Sequence, residues 1–333
     1  MLLAFAIDGA AQGKVDVVTL ANGDRITGEV KRLERGRLEF DTDDAGTLYL
    51  EWDKLLSVIA SSRLVEVSTG DGRRFLGTLG KAPDRSIGVT ESDGSVVTLT
   101  MTEVTLITPI GRSFWTKLDG SIDMGFSYTE SSGVTQLNLN SDTVYRRPAF
   151  EGHLSFSATQ TKLEDEPDSD DRASIQASYL RYPWQRWFLL IGTRFENNES
   201  LGIELRSQVS AAVGPRLINT NRAQMTLGAG LGVNREDGVD VESTKNVEAL
   251  LSFQTSYYTF DRPKTTIDIS LQYYPSLSDP GRQRVQFDAN IKRELVKDLY
   301  VSANGFNTYD NRPPNPAADT NDVGVVLSIG WSY

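Results

Sequence analysis

The chain has 333 residues, with 34 basic against 45 acidic side chains and a formal net charge of -11. A surface this acidic repels nucleic acid, so none is expected as a partner. Cysteine is absent and histidine occurs once, which excludes disulfides, thiolate metal sites and multi-histidine metal centres. No metal and no cofactor are expected.

Residues 1–11 carry an apolar stretch, Leu2–Ile7, followed by Gly9-Ala10-Ala11. An apolar core before small residues reads as the tail of a signal peptide, and export is the expectation. No run of about 18 apolar residues follows, so no transmembrane helix is available. A membrane barrel needs none, because only alternate residues of its strands meet lipid.

Residues 15–110 are short apolar runs punctuated by glycine turns. Val15–Leu20 and Arg25–Val30 flank Asn22-Gly23-Asp24, a hairpin signal. Arg37–Thr42, Thr47–Trp52 and Leu55–Ile59 complete five short strands, the count of a small barrel of SH3 or Sm type. The pattern then recurs at one fixed offset. Gly23–Gly28 aligns with Gly72–Gly77, Leu48–Leu50 with Val97–Leu99, and Leu55–Val58 with Val104–Ile107, always 49 residues on. A constant offset marks duplication. The expectation is two small β modules in tandem, 15–60 and 61–110, or one β unit built from two halves. A small β-barrel docks partner strands or peptides on its edges, so a periplasmic protein partner is expected for this region.

Beyond a linker at Pro109–Phe114 the strands lengthen. Leu118, Gly120, Ile122, Met124, Phe126 and Tyr128 share one face, and Lys117, Asp119, Ser121, Asp123, Gly125 and Ser127 the other. Period-two alternation of this kind is a strand with one apolar and one polar side. It recurs through residues 114–333, ending with Val323, Val325, Leu327, Ile329, Trp331 and Tyr333 on one face. The reading is about twelve strands, near 115–129, 134–146, 149–162, 172–182, 185–197, 202–215, 221–235, 245–260, 263–275, 282–294, 298–310 and 321–333. Polar faces rich in Ser, Gly, Asn and Gln suit a lumen better than a solvated surface. The fold class expected is all-β: a transmembrane antiparallel β-barrel behind a small β module. Tight turns such as Asn219-Thr220 and Lys297-Asp298 alternate with longer loops such as 163–171 and 311–320, and aromatics gather near strand ends.

The opening Asn22–Val30 (NGDRITGEV), Trp52-Asp53 before Leu55–Ile59, and the ending Ile329–Tyr333 (IGWSY) together resemble the YdiY-like family of salt-induced outer-membrane proteins of Gram-negative bacteria, a domain of unknown function. The resemblance implies an outer-membrane β-barrel and that location. It implies no catalytic residues. Expected partners are then outer-membrane lipid and lipopolysaccharide, and the barrel-assembly machinery through the last strand.

The polar face of residues 114–333 carries Lys117, Asp119, Asp123, Asp142, Glu151, His153, Arg194, Glu196, Glu204, Arg206, Glu248, Asp268, Arg284, Asp288 and Lys292. Both signs are mixed. Charged rings set channel selectivity, while paired charges fill and block a bore; both readings stand, with the filled state favoured. His153, beside Ser155 and Ser157, is the one candidate base, yet no Gly-x-Ser-x-Gly elbow exists, and a satisfied polar histidine is expected. The acidic run Leu163–Asp171 lacks EF-hand spacing and reads as a solvated loop, with Ca²⁺ bridging to lipopolysaccharide phosphate as the alternative. Three functions follow in order: a non-catalytic envelope scaffold or stress-related protein, a narrow diffusion or uptake channel, and a membrane enzyme using His153.

Overall fold

The computed structural model describes residues 14–110, 118–129, 134–147, 150–163, 170–198, 203–238, 241–296, 299–313 and 320–331. The signal-like segment 1–11, the linker Pro109–Phe114 beyond residue 110, and most of the acidic run 163–171 lie outside the described residues. Strands dominate, and the chain divides into two compact units, Met1–Pro109 and Ile110–Tyr333.

Among the described residues the first unit has nine strands: β1 (Asp16–Leu20), β2 (Arg25–Glu34), β3 (Arg37–Asp41), β4 (Thr47–Glu51), β5 (Leu55–Thr69), β6 (Arg74–Gly80), β7 (Ser86–Glu91), β8 (Val96–Thr100) and β9 (Val104–Pro109). They pair in the order β4-β3-β2-β1-β5-β6-β7-β8, and β9 returns to pair with both β2 and β5. The strands β1, β2, β9 and β5 therefore form a closed ring, which removes four strand edges at once.

The 49-residue repeat is written into this geometry. Val18 faces Val58 between β1 and β5, and Val67 faces Ile107 between β5 and β9. Thr19 faces Arg25, and Ser68 faces Arg74. The hairpin turns match as well, with Gly23 at φ 92° and Gly72 at φ 91°, a left-handed backbone that glycine adopts without steric cost.

The boundary expected between residues 60 and 61 falls inside β5. Its first half ends one copy, and its second half begins the next. The two copies share one core, in which Val18, Leu33, Phe40 and Leu55 of the first copy are buried with Val67, Leu79, Ile87 and Ile107 of the second. Five short strands bury too little apolar surface alone, whereas each such side chain contributes about 1.5–3 kcal/mol once buried in a pooled core. Close strand approach is part of the design: a Cβ on Gly77 would stand 2.1 Å from the Thr90 carbonyl oxygen, and one on Gly28 2.5 Å from that of Asp41.

Among the described residues the second unit is one antiparallel sheet of twelve strands: β10 (Leu118–Thr129), β11 (Val134–Arg147), β12 (Phe150–Leu163), β13 (Asp170–Trp184), β14 (Trp187–Asn198), β15 (Ile203–Asn219), β16 (Ala223–Gly238), β17 (Val241–Thr259), β18 (Thr265–Pro275), β19 (Gln283–Val296), β20 (Leu299–Asp310) and β21 (Asn321–Trp331). Each pairs with the next in chain order, and no ladder joins β10 to β21 among the described residues. The sheet curls strongly: residues from β12 round to β20 line a single cavity. Glycines permit the tightest bend. A Cβ on Gly214 would lie 1.8 Å from the Leu227 carbonyl oxygen, and one on Gly230 2.0 Å from that of Ala211.

Polarity in this unit is inverted relative to the first. Val209 and Leu231 are each 58% exposed and Leu251 is 49% exposed. Their neighbours on the opposite face, Gln208, Asn234 and Glu248, are buried. The apolar face thus points away from the concave side, which holds the ionic and amide groups.

Candidate functional site

The concave face of β14–β20 carries a continuous chain of ion pairs at the end where the longer loops lie. Alternation aims Arg194 and Glu196 of β14 inward, with Arg206 of β15 and Glu236 of β16 beside them. Arg194 Nε lies 2.7 Å from Glu196 Oε2, and Arg206 Nη1 is 2.6 Å from Glu196 Oε1. Arg206 Nε then reaches Glu236 Oε1 at 2.8 Å. From the loop between β18 and β19, Arg282 Nη2 stands 2.9 Å from Glu236 Oε2 and 2.7 Å from Asp310 Oδ2 at the end of β20. The chain crosses the bowl of the sheet from β14 to β20.

A second pair stands beside it. Arg284 donates to Glu248 in the two-pronged manner, Nε to Oε1 at 2.8 Å and Nη2 to Oε2 at 2.5 Å. The Tyr274 ring lies under the same guanidinium, 4.9 Å from Cζ to centroid. Four arginines meet four carboxylates here, so the cluster is neutral. Charges this deep are tolerated only when paired with good geometry, and removal of one partner strands the other.

Next to the ion pairs is a cavity of about 380 Å³. Its wall combines amides and hydroxyls, from Gln176, Gln254, Gln286, Ser178 and Ser252, with the charged side chains of the ion pairs and Asp288, and has Phe188, Leu250 and Phe306 as apolar patches.

The other residues singled out from the sequence sit apart from this cluster. Lys117 lies outside the described residues. Asp119 stands in β10, in register with Val144. Asp123 and Asp142 are exposed on β10 and β11, Asp123 accepting from Ser121 Oγ at 3.4 Å. His153 Nε2 is 3.3 Å from Glu151 Oε2 on β12. Asp268 accepts from Ser256 Oγ at 2.6 Å, and Asp288 from Ser270 Oγ at 3.4 Å. Lys292 lies over the Tyr300 ring at 3.7 Å. Glu204 departs from its expected inward position. The register shifts between Ile203 and Leu205, so the extra residue puts Glu204 in an exposed place and buries Ile203.

Three members of the cluster escaped the sequence reading: Glu236, Arg282 and Asp310. Glu236 lies one residue past the strand expected near 221–235, and it continues the even-numbered polar face of β16 two residues past Asn234. Arg282 and Asp310 are the terminal residues of the strands expected near 282–294 and 298–310; β19 begins one residue later, at Gln283, so Arg282 stands in the loop before it.

A family model described as a protein of unknown function, DUF481, matches residues 122–333. No curated protein and no solved structure matches the chain.

Proposed function

The chain belongs to the DUF481 family, and from that premise and the inverted polarity of the twelve-stranded sheet we propose that it is an outer-membrane β-barrel protein, non-enzymatic, with a periplasmic protein-binding module in front. One observation carries this reading. Large apolar side chains such as Val209, Leu231 and Leu251 are exposed along successive strands, while Arg282, Glu236 and Glu248 are buried on the concave side. In water that arrangement is unfavourable on both faces; in a bilayer it is favourable on both. Hydrocarbon covers the apolar face, and the ion pairs satisfy one another inside.

The neutral ion-pair chain across the bowl supports a filled bore, and so a scaffold in the envelope in preference to an open channel. The first unit supports partner binding. Its two halves repeat one strand order, which fits the small-barrel reading, and β4 and β8 end the sheet as open edges at equivalent places in the two copies. His153, paired with Glu151, is read as a structural polar group.

Flotation tests the proposal. The full chain, refolded from denaturant in the presence of phospholipid vesicles, is expected to rise with them in a density gradient and to resist extraction at alkaline pH. A chain that stays monodisperse in detergent-free buffer and remains at the bottom of the gradient contradicts it.

A further inference from the structure

The cavity beside the ion-pair chain has chemistry of its own. Arg194, Arg206 and Arg284 on its wall are already matched by Glu196, Glu236 and Glu248. A strongly charged ligand would have to break these buried pairs to use them. The amides are different. The side chains of Gln176, Gln254 and Gln286 make no hydrogen bond to another described residue, and each amide offers two donors and an acceptor. Asp288, in register with Phe306, accepts only the Ser270 hydroxyl at 3.4 Å among the described residues and keeps acceptor capacity for a hydroxyl-rich guest.

Two aromatic residues on the wall, Phe306 and Tyr309, are each 37% exposed, and Phe306 shares the even-numbered face of β20 with Asp310. Phe306 packs against Gly324 of β21, its partner in register: a Cβ on that glycine would stand 2.3 Å from Phe306 Cε1. The residue is 37% exposed and lines the cavity. Tyr300 sits on Gly330 in the same way, but Lys292 covers it. Phe188 and Tyr274 are buried. A partly exposed aromatic ring beside amide donors and acceptors and one carboxylate acceptor matches a sugar, whose C–H face stacks while its hydroxyls hydrogen-bond. The volume of about 380 Å³ is at the small end of ligand pockets.

We propose that this cavity binds a neutral saccharide of one or two rings, stacked on Phe306 and held by Gln254 and Gln286. The inference rests on the barrel reading above and adds a ligand class to it.

Calorimetric titration of the full chain, folded in detergent micelles, tests it with glucose and maltose as probes and with inorganic phosphate and choline as charged comparators. Folding is verified separately by shifted migration of the unheated sample on a denaturing gel. The sugars are expected to bind and the comparators to be silent. Phe306→Ala should weaken sugar binding roughly fivefold, while Phe306→Trp keeps it. The pair Gln254→Leu and Gln286→Leu should weaken it roughly tenfold or more without changing gel migration. A folded, floating chain that ignores both sugars overturns this inference alone, as does equal binding of phosphate or choline, or an unaffected Phe306→Ala. A chain that neither folds in micelles nor floats with vesicles contradicts the membrane reading and takes this inference with it.

Discussion

The indole Nε1 of Trp52 donates to the carbonyl oxygen of Met101 at 2.6 Å, and the two residues occupy the same place in the two copies of the duplicated unit, 49 positions apart. Around them the copies repeat bond for bond. Trp52 N donates to the Gly36 carbonyl and Met101 N to that of Arg85, each at 2.9 Å. The link between the copies therefore passes through the residue pair that relates them.

Trp52→Phe keeps the apolar bulk and removes the donor, leaving a buried carbonyl without its partner. It is expected to cost about 1–3 kcal/mol in chemical denaturation followed by circular dichroism. Trp52→Ala, which also leaves a cavity in the shared core, should cost about 3–5 kcal/mol. Equal, negligible losses for both would mean that the two halves are not joined through this residue.

Glycine at 77 is required by backbone approach. Gly77→Ala is expected to destabilise the first unit severely, because the new methyl would overlap the Thr90 carbonyl. Gly80→Ala, whose nearest neighbour would be the Thr90 hydroxyl at 3.6 Å, should be accommodated. Thermal unfolding of the two variants separates them directly.

The turn of the second copy gives an acid-sensitive contribution. The Thr69 hydroxyl donates to the Asp71 carboxylate, Arg73 Nε donates to it at 2.7 Å, and together they hold its pKa below the ordinary 3.8. A folded value below the unfolded one stabilises the protein above the unfolded value, and the contribution is lost as pH falls through the folded one. The first copy uses Asn22 at this place. Asp71→Asn should therefore flatten the loss of thermal stability below about pH 4 while leaving the neutral-pH fold intact. An unchanged acid limb would show that this carboxylate is not one of the groups responsible.

Inside the sheet, Arg284→Met strands Glu248, which is buried and matched by that guanidinium. The single variant is expected to cost about 3–5 kcal/mol, read as a lower temperature for loss of the folded gel band. Adding Glu248→Met should recover much of that loss, since a hydrophobic pair replaces the ionic one. If the double variant is as unstable as the single, the pair is not an isolated unit.

Architecture was legible in the sequence because both of its periods are short and strict. Alternation set the twelve strands to within a few residues at most ends, and the 49-residue offset located the duplication. Two things were not legible. Where β5 runs on past residue 60, sequence similarity marks the repeat but carries no information about whether its copies pool their cores. At the concave face, parity alone placed Arg194, Glu196, Arg206, Glu248 and Arg284 together, yet it failed at Glu204, where a one-residue register shift reverses the faces. Nor did it single out Arg282, the first residue of the strand expected near 282–294, which reaches Glu236 and Asp310 from the loop before β19.

The most direct measurement uses the absence of native cysteine. Leu231→Cys on the apolar face and Ser252→Cys on the concave face are each labelled with an environment-sensitive dye and reconstituted in vesicles containing spin-labelled lipid. The account predicts a blue-shifted, strongly quenched signal at position 231 and an unquenched one at 252. Quenching at 252 with a water-like, unquenched signal at 231 would contradict it.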